Sequence, residues 1–479
     1  MTRSPGTPPP RPASGATSRA SFAADIEADG GVAALVSMLA LGVPARDQRT
    51  GAGALAILGG GEGGPGYPDP DARYQDSIRA AGGIAALVRL LAPGGAAGVQ
   101  RRAAFALVGL CASNPGNEAC VRECGGITAL VWLLAPGSPD GMQKPAAAAL
   151  VSLCMNNPGN EACMRECGGV AALVQLLAPG GAANVQETAA WALAELCQRS
   201  RQAQHAVAAD GGAAALVALL APGGEDVLRK QAALALCYLC RGSPVGRASV
   251  RKCGGVAALV GLLAPGGAAE VQEAAAMALG PICLGGARSR DAIRAAGGAA
   301  ALVGLLGAGG ASRWALMALW HLTNEHPGTQ ESVRAAGGVA ALVGLLAPGG
   351  AAEAHMFAAG ALANLSATSA QNRASMTECG GVAALVRLLA PGGDAAACEA
   401  AVWMLSDLAG DAQGRGVLLE AGGVAALRGV VARGRPARAQ PWAADALRNL
   451  GAAPGRRGGR PAADAQRCSR CARAGGPGR

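Results

Sequence analysis

Residues 117–159 read NEACVRECGGITALVWLLAPGSPDGMQKPAAAALVSLCMNNPG, and the sequence on either side restates that stretch with variations. Its fixed mark is a Gly-Gly pair. Ten such pairs begin at Gly30, Gly82, Gly125, Gly168, Gly211, Gly254, Gly297, Gly337, Gly380 and Gly422, at intervals of 52, 43, 43, 43, 43, 43, 40, 43 and 42 residues. A unit of this length is one supersecondary element that cannot bury its apolar face alone and must stack on its neighbours. The period therefore predicts a solenoid of ten units that binds through an extended face.

Three helices fit one unit. The first is expected to begin at an N-cap, Asn117, Asn160, Ser289, Thr329 or Asn372 at equivalent places, and to end at the Gly-Gly, where glycine supplies a sharp bend. Four residues before each pair stands an aliphatic side chain: Ile26, Ile78, Val121, Met164, Val207, Val250, Ile293, Val333, Met376 and Leu418. In the second helix apolar residues fall at helical spacing, as in Val256, Leu259, Val260 and Leu263, before Pro-Gly-Gly ends it. The third reads VQExAAxALxxLC, as in 185–197 and 271–283, and Pro281 should kink its copy. In the first unit this helix is expected to cover barely two turns, 51–58, before an insertion over 59–70. The connection at 307–313 is shorter than its counterparts by three residues. Valine stands six residues after the start of nine pairs, and Arg428 takes that place in the tenth, as a terminal cap with no following neighbour requires.

The composition, 51% hydrophobic with 3% aromatic, calls for a helical core of Ala, Leu and Val. The net charge of +9 is local: from Arg428 onward there are 12 arginines and two aspartates, so residues 1–427 hold 29 basic against 30 acidic side chains. A nucleic-acid-wrapping body is thereby disfavoured, because such binding rests on many phosphate-neutralising contacts; only the Arg-rich tail carries that signal. Cys111, Cys154, Cys197, Cys240 and Cys283 are each 43 apart, and Cys124, Cys167, Cys253 and Cys379 each precede a Gly-Gly. Positions that recur once per unit are read as packing positions, with reduced thiols and a cytoplasmic chain. The longest uncharged stretch, between Arg294 and Arg313, is cut by glycine pairs and is not a membrane span. Residues 1–21 share composition with transit peptides but lack an apolar helical face.

The string NxxxVRxxGGVAALVxLLAPGG followed by VQExAAxALxxL resembles the armadillo repeat over roughly 22–450. Two-helix HEAT repeats fit less well, because the Gly-Gly separates two helical patterns. The resemblance implies an all-α, right-handed superhelix whose third helices line a concave groove, flanked here by disordered tails at 1–21 and 451–479. In import receptors of this family the third helix carries Trp and, four residues on, Asn. The corresponding pairs here are Phe105 with Gly109, Ala148 with Ser152, Trp191 with Glu195, Leu234 with Tyr238, Met277 with Pro281, Met317 with His321, Gly360 with Asn364, Trp403 with Asp407 and Asp445 with Asn449. None is Trp with Asn, so a nuclear import receptor is disfavoured. Thr2 and a first cysteine at Cys111 argue against the lipid anchor of vacuolar adaptors, and the flanks leave no room for a ubiquitin-ligase module.

The expected function is a protein-interaction scaffold or adaptor, monomeric, binding a protein or extended peptide in the groove. Ciliary or cytoskeletal scaffold, ligase adaptor and vacuolar-type adaptor remain open within that class, with nuclear or ciliary placement as alternatives to the cytoplasm; an enzyme or regulatory subunit is the remote alternative. The groove residues are Phe105, Trp191, Glu195, Tyr238, Met277, His321, Asn364, Trp403, Asp407 and Asn449. Trp320 is assigned to packing and Trp132 to the surface. The stripe Arg79, Arg122, Arg165, Arg251, Arg294 and Arg334 is assigned to the helix dipole and to i, i+4 pairs such as Glu118 with Arg122 and Glu161 with Arg165. His321 and His326 are poorly spaced for one metal, and Cys468 with Cys471 lack two further zinc ligands. No catalytic or cofactor-binding residues are assigned.

Overall fold

The computed structural model describes residues 30–59, 72–135, 138, 141–307, 311–347, 350–367, 369–410, 412–434 and 436–451. The tails at 1–21 and 452–479, Ile26 and the insertion after Gly59 lie outside these residues. Among the described residues there are 29 helices and no strands. From the second repeat on, each repeat supplies three: repeat 4, for example, has Pro158–Glu166, Gly169–Gln175 and Ala183–Arg199.

Two compact units divide at Gly338. In the first, the third helices pack in series: Ala45–Gly59, Ala97–Cys111, Gln143–Cys154, Ala183–Arg199, Asp226–Cys240, Ala269–Cys283 and Ala311–Thr323. The second holds its own series, Ala352–Ala367, Ala395–Gly410 and Ala439–Asn449.

The two glycines of each pair have different roles. Gly125 adopts φ 78°, the left-handed conformation that stops the first helix and turns the chain into the second. Gly126 faces the neighbouring repeat: a Cβ there would lie 2.6 Å from Val121 Cγ1 and 2.9 Å from Val88 Cγ2. Gly255 likewise faces Val250 at 2.7 Å and Val217 at 2.8 Å. The aliphatic residue before the pair and the valine of the preceding repeat thus close on a backbone without a side chain. Val121, Met164, Val207, Val250, Ile293, Val333, Met376 and Leu418 are all fully buried, whereas Arg428 is exposed.

The first-helix caps lie three residues earlier than expected. Asn114 accepts from the Asn117 amide at 3.0 Å, with Pro115 next, where the missing N–H is harmless. Asn157, Ser200, Ser243, His326 and Ser369 cap in the same way, and Gly286 has no side chain to do so. Asn117 is instead buried inside the first turn. Its Nδ2 donates to the carbonyls of Leu110 (2.6 Å) and Gln75 (3.2 Å), and its Oδ1 accepts from Arg79 at 2.7 Å. Asn160 repeats this with the Leu153 carbonyl (2.8 Å) and Arg122 (2.9 Å).

These bonds reassign part of the arginine stripe: Arg79, Arg122 and Arg251 reach forward to Asn117, Asn160 and Ser289 of the next repeat, whereas Arg294 and Arg334 pair with Asp291 and Glu331 of their own helices. Glu118 accepts from Asn157 at 2.6 Å and Glu161 from the Ser200 hydroxyl, so these acids also bond to the following repeat instead of to the arginine one turn on. In the next repeat Ala203 stands where Asn117 and Asn160 do, and the Nε of Arg165 is buried without a hydrogen-bond partner.

The third helix of the first repeat is full length, Ala45–Gly59, not two turns. Its first residues, including Arg46 and Arg49, are exposed, so their charge marks a solvent face and not a loop. The helix Ala269–Cys283 continues through Pro281. The carbonyl of Met277, which proline leaves without its usual donor, accepts from Cys237 Sγ at 3.5 Å.

Cys111, Cys154, Cys197, Cys240 and Cys283 are buried as packing positions require. Burial pushes the thiols of Cys154, Cys197 and Cys283 up to about 12. The cysteines before the Gly-Gly pairs are different: Cys124 and Cys379 are exposed and Cys167 and Cys253 half-buried. They precede the bend, where the helix has turned away from its packed side, and they are not core residues.

Candidate functional site

The third helices pack side by side, so one register position on successive helices forms a row. In the first unit that row runs through Phe105, Ala148, Trp191, Leu234, Met277 and Met317, and one turn further through Ser152, Glu195, Tyr238, Pro281 and His321. Phe105 is 40% exposed and the others are half-buried, while Ala190, Ala192 and Leu193 around Trp191 are fully buried. Large side chains therefore stand above a floor of small buried ones.

Charges and rings are arranged along this face. Glu195 lies 3.7 Å from Arg199, one turn on in its own helix. Arg241 sits 5.9 Å from the centre of the Tyr238 ring, and burial raises the tyrosine's pKa. Lys230 pairs with Glu270 of the next repeat at 2.5 Å. His321 stacks on Trp320 with ring centres 5.1 Å apart. Its pKa is pushed down to about 4, chiefly by burial and then by Arg290, so the imidazole is neutral at neutral pH. His326 acts elsewhere, since its Nδ1 caps the next helix and its Nε2 lies 3.5 Å from Asp291.

Trp314 is a member of this face that the register of pairs did not reveal. It donates to Glu273 of the preceding repeat at 3.1 Å, and Arg313 lies 5.2 Å from the centre of its ring. The signal was available, because Trp314 stands three residues before Met317 and so shares its helix face. Trp132 is 40% exposed on a second helix, as expected.

In the second unit Trp403 is half-buried and Asp407 and Asn449 are exposed. Asn364 departs from its assignment: it is 8% exposed, within a run from Phe357 to Ser366 that is buried throughout. Little of that side chain is exposed, with Gly360 one turn before it. No group of three or more His, Cys, Asp or Glu stands together as a metal site among the described residues. No helix there is long and apolar enough to cross a membrane.

The Armadillo/beta-catenin-like repeat family matches residues 114–155 and 157–198. No curated protein matches the chain. Among solved structures, the crystal structure of an engineered protein is similar at 30% identity and a TM-score of 0.76, over 88% of this chain and 98% of that one. A second engineered protein aligns at 30% identity over 53% of this chain and 97% of its own, with a TM-score of 0.46. With the repeat-family match lying within an array of three-helix repeats, and with 30% identity to the first engineered protein over nearly its whole length, the chain belongs to the armadillo-repeat family.

Proposed function

We propose that the chain is a protein-interaction scaffold or adaptor whose third-helix faces bind a protein or an extended peptide. The observation that carries this reading is the row of partly exposed large side chains at one register, Phe105, Trp191 and Met277, with Tyr238 and His321 one turn on. Buried small residues beneath them hold their helices close. Aromatic side chains in such settings dominate binding energy. In this reading Trp191 and Tyr238 are anchors of the first unit and Trp403, beside Asp407, an anchor of the second. Asn449 belongs to the periphery. The pairs lack the repeated Trp with Asn of import receptors, so recognition runs through separate anchors and not an even main-chain clamp.

The same reading takes 22–450 as one array with tails at either end, monomeric and cytoplasmic, and non-enzymatic. Proximity labelling in the native cell identifies the partner, and its affinity is then measured directly. Trp191→Ala and Trp403→Ala should each weaken binding about tenfold or more, and Trp132→Ala should change it little. Unchanged affinity in both face variants, with helicity intact, would move the site to another surface.

A further inference from the structure

The accessible cysteines of repeats 3 and 4 come in pairs. On the helix Pro115–Glu123 and its C-cap, Cys120 and Cys124 stand one turn apart with their sulfurs 4.0 Å from each other. On Pro158–Glu166 and its C-cap, Cys163 and Cys167 have the same separation. Cys124 is exposed and the other three are half-buried. Cys167 also meets Thr128 Oγ1 at 3.0 Å, which holds that sulfur against the second helix of the preceding repeat.

Packing does not account for the doubled thiol. At the same two positions other repeats carry Ser77 with Ala81, Ser249 with Cys253, Ala292 with Ala296, Ser332 with Ala336 and Ser375 with Cys379. Each of these repeats forms the same first helix, so neither sulfur is required for the fold.

We propose that each pair is a two-coordinate site for a soft monovalent metal ion, copper(I), held between the two sulfurs. Metal–sulfur bonds of ~2.3 Å allow two sulfurs to stand up to about 4.6 Å apart on one ion, so both pairs are already at bridging distance. Soft thiolate donors select copper(I). Zinc fits poorly, since it takes four ligands and no third His, Cys, Asp or Glu is placed to complete a metal site with either pair among the described residues. On binding, each thiol releases its proton to solvent and two sulfur–copper bonds form. The copper keeps its single positive charge, and no electron moves.

The test is anaerobic titration of the full chain with copper(I) against a chromogenic chelator, in a background where the tail thiols are replaced by Cys468→Ser and Cys471→Ser. The folded background chain should take up two tightly held ions. Cys120→Ser alone should remove one of them, as completely as Cys120→Ser with Cys124→Ser, and Cys163→Ser should remove the other. Cys379→Ser should remove none. Uptake that survives loss of both pairs with circular dichroism unchanged overturns the proposal, as does a folded background chain that takes up no copper(I).

Discussion

Repeats 3 and 4 join to their neighbours by two seams, one apolar and one polar, whereas repeat 7 keeps the first and lets most of the second go. In repeats 3 and 4 an asparagine caps the first helix, a second asparagine three residues on is buried, and an arginine from the repeat before bonds to it at 2.7 and 2.9 Å. In repeat 7 the cap is Gly286, which has no side chain, and Ser289 receives Arg251 only at 3.4 Å. Yet Ile293 is as fully buried as Val121 and Met164. A Cβ on Gly298 would still meet Ile293 at 2.5 Å and Val260 at 3.2 Å. The apolar seam is thus common to every joint of the first unit, and the polar seam is added on top of it.

That contrast can be broken at its stronger end first. Met164→Ala and Ile293→Ala should each cost about 2–5 kcal/mol in urea unfolding, alike in the two repeats, because each empties a fully buried slot. A loss below about 1 kcal/mol at either site would mean that the apolar seam does not carry the joint there. Asn160→Ala comes next. It leaves the Leu153 carbonyl and Arg122 without their partner and should cost about 1–3 kcal/mol, more than Ser289→Ala in the same assay. Equal losses would erase the difference between the repeats. The smallest effect is a gain: Ala203→Asn places an acceptor at the register where Asn160 receives Arg122, and should stabilise by about 0.5–1.5 kcal/mol, read as a raised urea midpoint. An unchanged midpoint would show that the arginine is satisfied without it.

Much of the apolar seam was legible, because its residues recur at fixed distances from a mark the eye finds at once. The buried aliphatic four residues before each Gly-Gly from Gly82 onward and the exposed Arg428 in the last repeat both follow from spacing. The polar seam was not legible, since its bonds join residues 38 apart that look like separate surface charges. The caps were misplaced for a local reason. Asn114-Pro115-Gly116 reads as a turn, although proline at the first helical position continues an asparagine cap. At the face, spacing identified Trp191 and Tyr238 but said nothing of depth, so Asn364 could not be told from an exposed residue until Phe357–Ser366 proved buried throughout.

Asn117 ties the start of its own first helix to the end of the third helix before it, and it also holds the arginine of that preceding repeat. The structural module is therefore out of phase with the sequence period: what recurs along the chain from one Gly-Gly to the next is completed in space by side chains on both sides of the mark. A cut at the Gly-Gly mark between Arg122 and Asn160 parts a donor from its acceptor, so the borders of the sequence period are not the borders of the polar seam. What holds successive repeats together is therefore a property of the junction and not of either repeat alone.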